Sequence, residues 1–463
     1  MTTTVTDGVS RLFPDGVLVT DPDIVATYAV DQSRLTSRGQ PWAVASPRDT
    51  DEVAACLRVA HAHRIPVVTR GAGSGLSGGA NAPDGSVVLS THRMDRVLEI
   101  DVADRVAVVQ PGVVTGRLRD AVAERGLFYP PDPGSVAFST IGGNIATNAG
   151  GMCCLKYGVT GDFVRALEVV LADGSVMRTG TRTRKGVAGL DLTRLFVGSE
   201  GSLAVITEAT VRLLPAPGPA LTLVATFGSL AAAGRAIAAV QAAGVDLSLL
   251  ELLDRTTVGA IEASTPLGFD PGVAAVLLAQ SDADTSPEQL ARAATLLRST
   301  GAVDVMAAED AQEAGLLLEA RRRALPALEA LGDWLLDDVC VPPSRIVDLI
   351  AGIEEIAARV GLTIGVFGHV GDGNMHPTVI YDAQSASSTA AARTAFDDIT
   401  GLALSLGGTI TGEHGVGRLK TAWLERELDP VALRLQADLK RTVDPRGILN
   451  PGSVIAPAHP TST

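Results

Sequence analysis

The sequence predicts an α+β protein built as two domains, and three observations carry that expectation. Its 463 residues exceed what one hydrophobic core usually serves. Hydrophobic residues make up 46% of the chain but aromatic ones only 3%, so the core must be assembled from Ala, Val and Leu. The third is a change of texture at Pro215-Ala216-Pro217-Gly218-Pro219. Short β-rich runs and glycine turns precede it, and strands alternate with helices after it.

Taken in order, Val53, Cys56, Leu57 and Ala60 give residues 50–62 a helical period, and residues 65–69 read as a short buried strand. Strands follow at 87–89 and 105–109, and a helix at 115–124. Asp173-Gly174 between β-rich runs at 166–171 and 176–179 is a hairpin signal. The segment 198–207 runs into a strand expected to end at Leu214. Beyond the proline break, strands at 221–226, 248–253, 274–279 and 303–306 alternate with helices at 230–243 and 287–299, the pattern of a split βαβ domain. Residues 383–391, small and polar, read as a loop leading into a helix. The turn-rich stretch 444–452 closes the ordered part, and the last residues are expected to be disordered.

Four glycine-rich segments concentrate the chemistry. Residues 70–79 contain a literal GxGxxG, Gly73 to Gly78, but Asn81, Pro83 and Asp84-Gly85 follow at once and then a strand, so no helix opens there and a Rossmann turn is excluded. A glycine loop between strands still exposes successive backbone N–H groups, which form an anion nest suited to a pyrophosphate. Residues 139–151 combine glycines with Ser139, Thr140, Asn144 and Asn148, a composition for close approach and hydrogen bonding against a flat polar ring. The other two segments, Gly368 to His376 and Gly412 to Gly415, hold three of the seven histidines. Gly371, Asp372, Gly373 and Asn374 disfavour a helix, and apolar runs flank them. A hairpin turning at Asp372-Gly373 would therefore set His369 and His376 across from each other on one sheet face. Two neutral imidazoles there could share a divalent metal, with Glu413 as third ligand and one position open, as catalytic zinc requires. His414 would then be free to act as a base. Arg321, Arg322 and Arg323 form a run of which at most one member should point inward.

Composition also excludes. A formal charge of −14 argues against a nucleic-acid partner. Cys56, Cys153, Cys154 and Cys340 have no cluster spacing, so no iron–sulfur centre is expected in this chain. No apolar run is long enough to span a bilayer and the first residues do not resemble a secretion signal. A cytoplasmic location is expected, with peripheral attachment to the inner face of the membrane through a partner left open.

Together these motifs resemble the FAD-dependent D-2-hydroxy acid dehydrogenases of the vanillyl-alcohol oxidase (PCMH) type flavin fold, whose members include D-lactate dehydrogenase, D-2-hydroxyglutarate dehydrogenase and the flavin subunit of glycolate oxidase. The resemblance runs from about Pro47 to Val454 in ordered motifs that include Tyr157-Gly158 and Asn450-Pro451. It implies an FAD-binding domain over residues 1–217, a ferredoxin-like substrate domain carrying metal ligands over 218–410, and a segment, 411–463, that returns to the flavin. By the same resemblance Arg70, Gly71, Ala72, Gly73, Ser74, Gly75, Gly78 and Gly79 cradle the FAD pyrophosphate, and Ser139, Gly142, Gly143, Asn144 and Asn148 line the flavin. Gly201, Ile206 and Asn450 also match cofactor positions. His369, His376 and Glu413 match metal ligands, usually zinc; His414 matches the base and Arg321 the clamp for a substrate carboxylate. Leu318 stands where the family often has Trp, three residues before that arginine, which leaves the choice between Arg321 and Arg322 open. Relatives with covalent flavin carry a histidine in the first glycine loop, where this chain has Ser74 and none, so noncovalent FAD is expected.

The expected reaction is oxidation of a D-2-hydroxy acid, D-lactate or glycolate first and D-2-hydroxyglutarate as the alternative, to the 2-oxo acid. His414 would take the hydroxyl proton, with the metal lowering its pKa, and the hydride would pass to flavin N5. Electrons would leave to an external acceptor: quinone, cytochrome, electron-transfer flavoprotein, a separate iron–sulfur subunit or oxygen. A zinc hydrolase is the competing class, and a non-catalytic nucleotide-binding or assembly subunit a third.

Overall fold

A computed structural model describes residues 8–308 and 310–455. The chain divides into two compact units. The first comprises residues up to Gly150, Val159–Ala216 and the chain from His414 onward; the second comprises Gly151–Gly158 and Pro217–Glu413. The expected disorder at the end of the chain falls mostly outside the described residues.

In the first unit, β1 (Leu18–Val19), β2 (Ala43–Ala45), β3 (Val67–Arg70) and β4 (Val87–Ser90) form one sheet in the order β1-β2-β4-β3, with β4 parallel to β2 and β3. Helix Thr50–His63 covers it. Asp49 caps the helix by accepting from Glu52 N–H at 3.0 Å, and its apolar face, Val53, Leu57 and Ala60, joins a core with Val67, Leu89, Val170, Val205 and Leu449. The remaining strands are β5 (Val97–Asp101), β6 (Val106–Val109), β7 (Leu127–Phe128), β8 (Val164–Val170), β9 (Val176–Gly180), β10 (Val205–Arg212) and β11 (Leu214–Pro215). Five of them make an antiparallel sheet in the order β5-β6-β10-β8-β9, and the hairpin expected at Asp173-Gly174 joins β8 to β9. The strand expected to reach Leu214 instead stops at Arg212, because Leu214 and Pro215 pair separately with β7.

The second unit holds one sheet made of β12 (Leu221–Phe227), β13 (Leu249–Asp254), β14 (Ala275–Ser281), β15 (Ala302–Ala307), β16 (Asp333–Leu336), β17 (Val339–Cys340), β18 (Thr363–His369) and β19 (Asn374–Tyr381). Its order is β15-β12-β14-β13-β18-β19-β16, with β17 also paired to β19. With helices Leu230–Ala242 and Ser286–Ser299, the first four strands take the 4-1-3-2 order of a split βαβ unit. Because β14 and β18 flank β13, all six β13 residues are buried, Glu251 among them. The stretch read as a loop at 383–391 is mostly helix: Ala386–Ser405 begins after Ser385, whose hydroxyl accepts from Ser388 N–H at 3.2 Å. Alanine is the best helix former, and Ala392, Ala395, Phe396, Ile399 and Ala403 give that helix a buried face. The strap Gly151–Gly158 belongs here by its bonds. Lys156 Nζ reaches Asp282 at 2.8 Å and Asp246 at 3.2 Å, and Tyr157 OH donates to Asp282 at 2.5 Å.

Candidate functional site

The two units each carry a set of candidate residues, and each set has its own chemistry. In the first unit the loop after β3 stays out of any helix. None of the backbone N–H groups of residues 72–79 donates a hydrogen bond among the described residues. Ala72 is exposed, and Gly71, Ser74, Gly75 and Gly79 are half-buried. Unsatisfied N–H groups in succession favour an anion, so the loop fits a diphosphate. Gly73 and Gly78 have φ of +71° and +79°, the left-handed region that excludes a side chain at little cost only for glycine. Arg70 is engaged inside the protein. Its Nη1 donates to the Val30 carbonyl at 2.6 Å, its guanidinium lies over the Tyr28 ring, and Gly73 leaves room for it.

The second glycine segment forms helix Ile141–Thr147, capped by Thr140. Ser139 and Asn144 are buried and tied to Thr115, the latter donating from Nδ2 at 2.7 Å. Gly142 lies against Pro111, where a Cβ would come within 2.5 Å. These three residues brace the segment, while Gly143 and Asn148 are more open. Asn148 ends the helix at φ +53° and accepts from Gly161 N–H at 2.8 Å. Gly201 follows Glu200 at the turn leading to β10, which carries the buried Ile206. Asn450 Nδ2 donates to the carbonyls of Gly79 and Glu200, both at 2.8 Å, so the late segment 448–450 closes on the first loop.

In the second unit the β18–β19 hairpin pairs Phe367 with His376 and His369 with Asn374. The two histidines therefore share one face, as expected, but diagonally rather than directly opposite. Their Nε2 atoms are 3.3 Å apart. Glu413 Oε1 lies 3.5 Å from His369 Nε2 and 3.4 Å from His376 Nε2. Such separations are long for hydrogen bonds, yet they form a nearly equilateral triangle of three donor atoms. Donors about 2.0–2.1 Å from a common centre in tetrahedral coordination stand about 3.3–3.4 Å apart. The triangle thus has the dimensions of three ligands of a zinc-like cation.

Two carboxylates not singled out from the sequence support it. Glu251 Oε1 accepts from His369 Nδ1 at 2.6 Å, which turns the Nε2 lone pair toward the triangle, and Glu251 Oε2 accepts from Arg321 Nε at 2.5 Å. Burial alone would raise the Glu251 carboxyl, but the charges of His369 and Arg321 pull it below its ordinary range. Burial would likewise favour neutral His369, and Glu251 and Glu413 reverse this. Asp338 accepts from Thr411 Oγ1 at 2.7 Å, Gly412 N–H at 2.9 Å and Glu413 N–H at 3.0 Å, which fixes the approach of Glu413. Three carboxylates against one guanidinium leave the cluster negative while the imidazoles are neutral, so a divalent cation suits it. Of the arginine run, Arg321 points inward, 11% exposed and stacked over Phe367, while Arg322 and Arg323 pair with Glu319 at the surface. One sign of Glu251 was available in the sequence: a single charge within an otherwise apolar strand, Leu249 to Leu253. His414 belongs to the first unit, one peptide bond beyond Glu413, and its carbonyl accepts from Ser77 Oγ at 3.1 Å.

Comparison with known proteins places both units in one family of flavin enzymes. Residues 41–180 match the family described as "FAD binding domain", and residues 217–454 match "FAD linked oxidases, C-terminal domain". The chain is 44% identical over 422 residues to the glycolate oxidase subunit GlcD of Bacillus subtilis, covering 90% of each chain. It is 37% identical to the Escherichia coli glycolate oxidase subunit GlcD, covering 96% of this chain and 89% of that one. It is 38% identical to a D-lactate dehydrogenase of Archaeoglobus fulgidus, covering 89% and 91%. Among solved structures, p-cresol methylhydroxylase superposes with a TM-score of 0.80 at 18% identity, covering 98% of this chain and 97% of that one, which establishes the PCMH-type fold. Family membership decides against the hydrolase alternative and makes the protein an oxidoreductase. The chain belongs to the FAD-linked oxidases.

Proposed function

We propose that the protein oxidises a small D-2-hydroxy acid, D-lactate or glycolate, to the 2-oxo acid. The observation that carries this reading is the pairing, within one unit, of a three-donor metal triangle with an inward arginine through the shared carboxylate of Glu251. Noncovalent FAD, held by the 70–79 loop with Gly143, Asn148, Gly201, Ile206 and Asn450, supplies the two-electron acceptor. A divalent metal held by His369, His376 and Glu413 supplies a Lewis acid that lowers the pKa of the substrate hydroxyl. Arg321 commits its Nε–H to Glu251 and presents its Nη edge to the substrate carboxylate, a planar match for a guanidinium. His414 accepts the hydroxyl proton. The names of the relatives, glycolate oxidase subunit and D-lactate dehydrogenase, support a short acid over a longer one. The word "subunit" in the former supports a protein partner that receives the electrons.

The visible spectrum, recorded before and after anaerobic addition of D-lactate, glycolate or D-2-hydroxyglutarate, tests this. Flavin bands bleached by a short acid are the expected result. Bleaching by D-2-hydroxyglutarate alone would replace the substrate, and a protein that takes up no FAD would remove the reading altogether.

A further inference from the structure

The turn at 198–201 holds a residue that neither the cofactor nor the metal chemistry uses. Glu200 is a buried carboxylate at φ +48°, a left-handed backbone that a non-glycine residue adopts at a cost. Its Oε1 accepts from Val416 N–H at 2.8 Å and Gly417 N–H at 3.2 Å, and its Oε2 accepts from Gly417 N–H at 3.1 Å. Both glycines around it are spaced for this carboxylate. A Cβ on Gly415 would stand 2.6 Å from Oε1, and one on Gly79 would stand 2.6 Å from Oε2. On the far side of the same turn, Asn450 holds the Glu200 carbonyl. The loop after His414 gains further anchors from Ser77, whose hydroxyl donates to the His414 carbonyl and whose own carbonyl accepts from Arg418 and Leu419 N–H at 2.9 and 3.0 Å.

We infer that Glu200 is a positioning residue for the hydroxy acid oxidation: its carboxylate hooks the backbone of Val416 and Gly417 and so sets where His414 stands relative to the 77–79 loop. This rests on the reading of His414 as the base. A buried carboxylate held by backbone N–H groups is a rigid anchor, because hydrogen bonds to an ionised acceptor are strong and the main chain that donates them is itself fixed. Burial, with the charge of Asp31, pushes the Glu200 carboxyl up to about 7, and the Val416 and Gly417 N–H groups are what hold it down toward the ionised form. Glutamine keeps the shape but aims an amide NH2 at a backbone N–H, so the hook loosens without leaving a cavity.

The test compares Glu200→Gln, His414→Ala and the double variant as FAD-loaded proteins. FAD content, single-turnover flavin reduction by the substrate acid, and the NMR signal of labelled histidine assigned to His414 by its loss in His414→Ala are read for each. We expect Glu200→Gln to keep FAD, to slow reduction about 10–100-fold with KM little changed, and to shift or broaden the His414 signal. We expect the double variant to be no slower than His414→Ala. A Glu200→Gln protein that reduces at the wild-type rate overturns the inference, as does a loss that multiplies with that of His414→Ala. If Glu200→Gln fails to fold or to hold FAD, Gly415→Ala takes its place, since its Cβ displaces the carboxylate while leaving the charge, and the same non-additivity decides. Normal reduction by His414→Ala would remove the base assignment and this inference with it; slow His414→Ala beside unimpaired Glu200→Gln removes only the inference.

Discussion

Glu251 divides one carboxylate between an imidazole and a guanidinium, so each partner depends on its staying ionised. Glu251→Gln offers one acceptor for two donors. It should lower kcat/KM by about 10–100-fold and reduce zinc content, checked by steady-state assay and metal analysis of the same preparation. Asp254, at the end of the same strand, behaves differently. It is buried, caps helix Arg255–Ser264 through Thr257 N–H at 2.8 Å, and burial pushes its carboxyl up to about 6. Its folded pKa lies above the unfolded value, so ionisation costs stability, and the cost grows as pH rises toward and past 6. Asp254→Asn keeps a capping side chain and removes that cost. Its stability relative to wild type should improve by on the order of 1 kcal/mol between pH 5 and 7.5, read from urea midpoints at the two pH values. His369, His376 and Glu413 were legible because histidine and glutamate in glycine turns are unusual, whereas Glu251 acquires its role only by meeting a histidine 118 residues away.

At the scale of elements, the β18–β19 hairpin sets two corners of the three-donor triangle, His369 and His376, and its turn tolerates no side chain at Gly373. There φ is +96° and a Cβ would stand 2.0 Å from the Val341 carbonyl. Gly373→Ala should destabilise the second unit by more than about 2 kcal/mol and abolish zinc retention while FAD binding persists, which metal analysis and the flavin spectrum of one sample would show. Most strands could be read from the sequence because apolar β-branched runs between glycines have few other solutions. The start of helix Ala386–Ser405, residues 386–391, could not, because the serines and threonine there have turn propensity as well, although the rest of the helix was expected. The split βαβ order followed from strand–helix alternation. The addition of β18, β19 and β16 to the same sheet did not, since local pattern says nothing about which edge a distant hairpin joins.

For the whole molecule, the two candidate ligand sets belong to separate compact units, so their ligands should act on separate transitions. FAD at about a hundred times its Kd should stabilise the first unit by about 2.7 kcal/mol, and zinc should raise the transition of the second. Calorimetry with FAD, zinc or EDTA added separately checks this; one transition moved equally by both ligands would show that the units do not unfold independently. The −14 charge, which made nucleic acid an unsuitable partner, also means that an anionic substrate would have to be drawn in by local positive charge rather than by the protein as a whole. The interleaving of the units has a consequence for biosynthesis. Every residue of the second unit has been translated once Glu413 is made, but β3 of the first still awaits Ile448 and Asn450, which hydrogen-bond to Val67 at 2.7 and 2.8 Å. On the ribosome the later-starting unit can therefore finish first, and the nascent FAD domain must wait with an open edge at β3 until residues 448–450 have been translated.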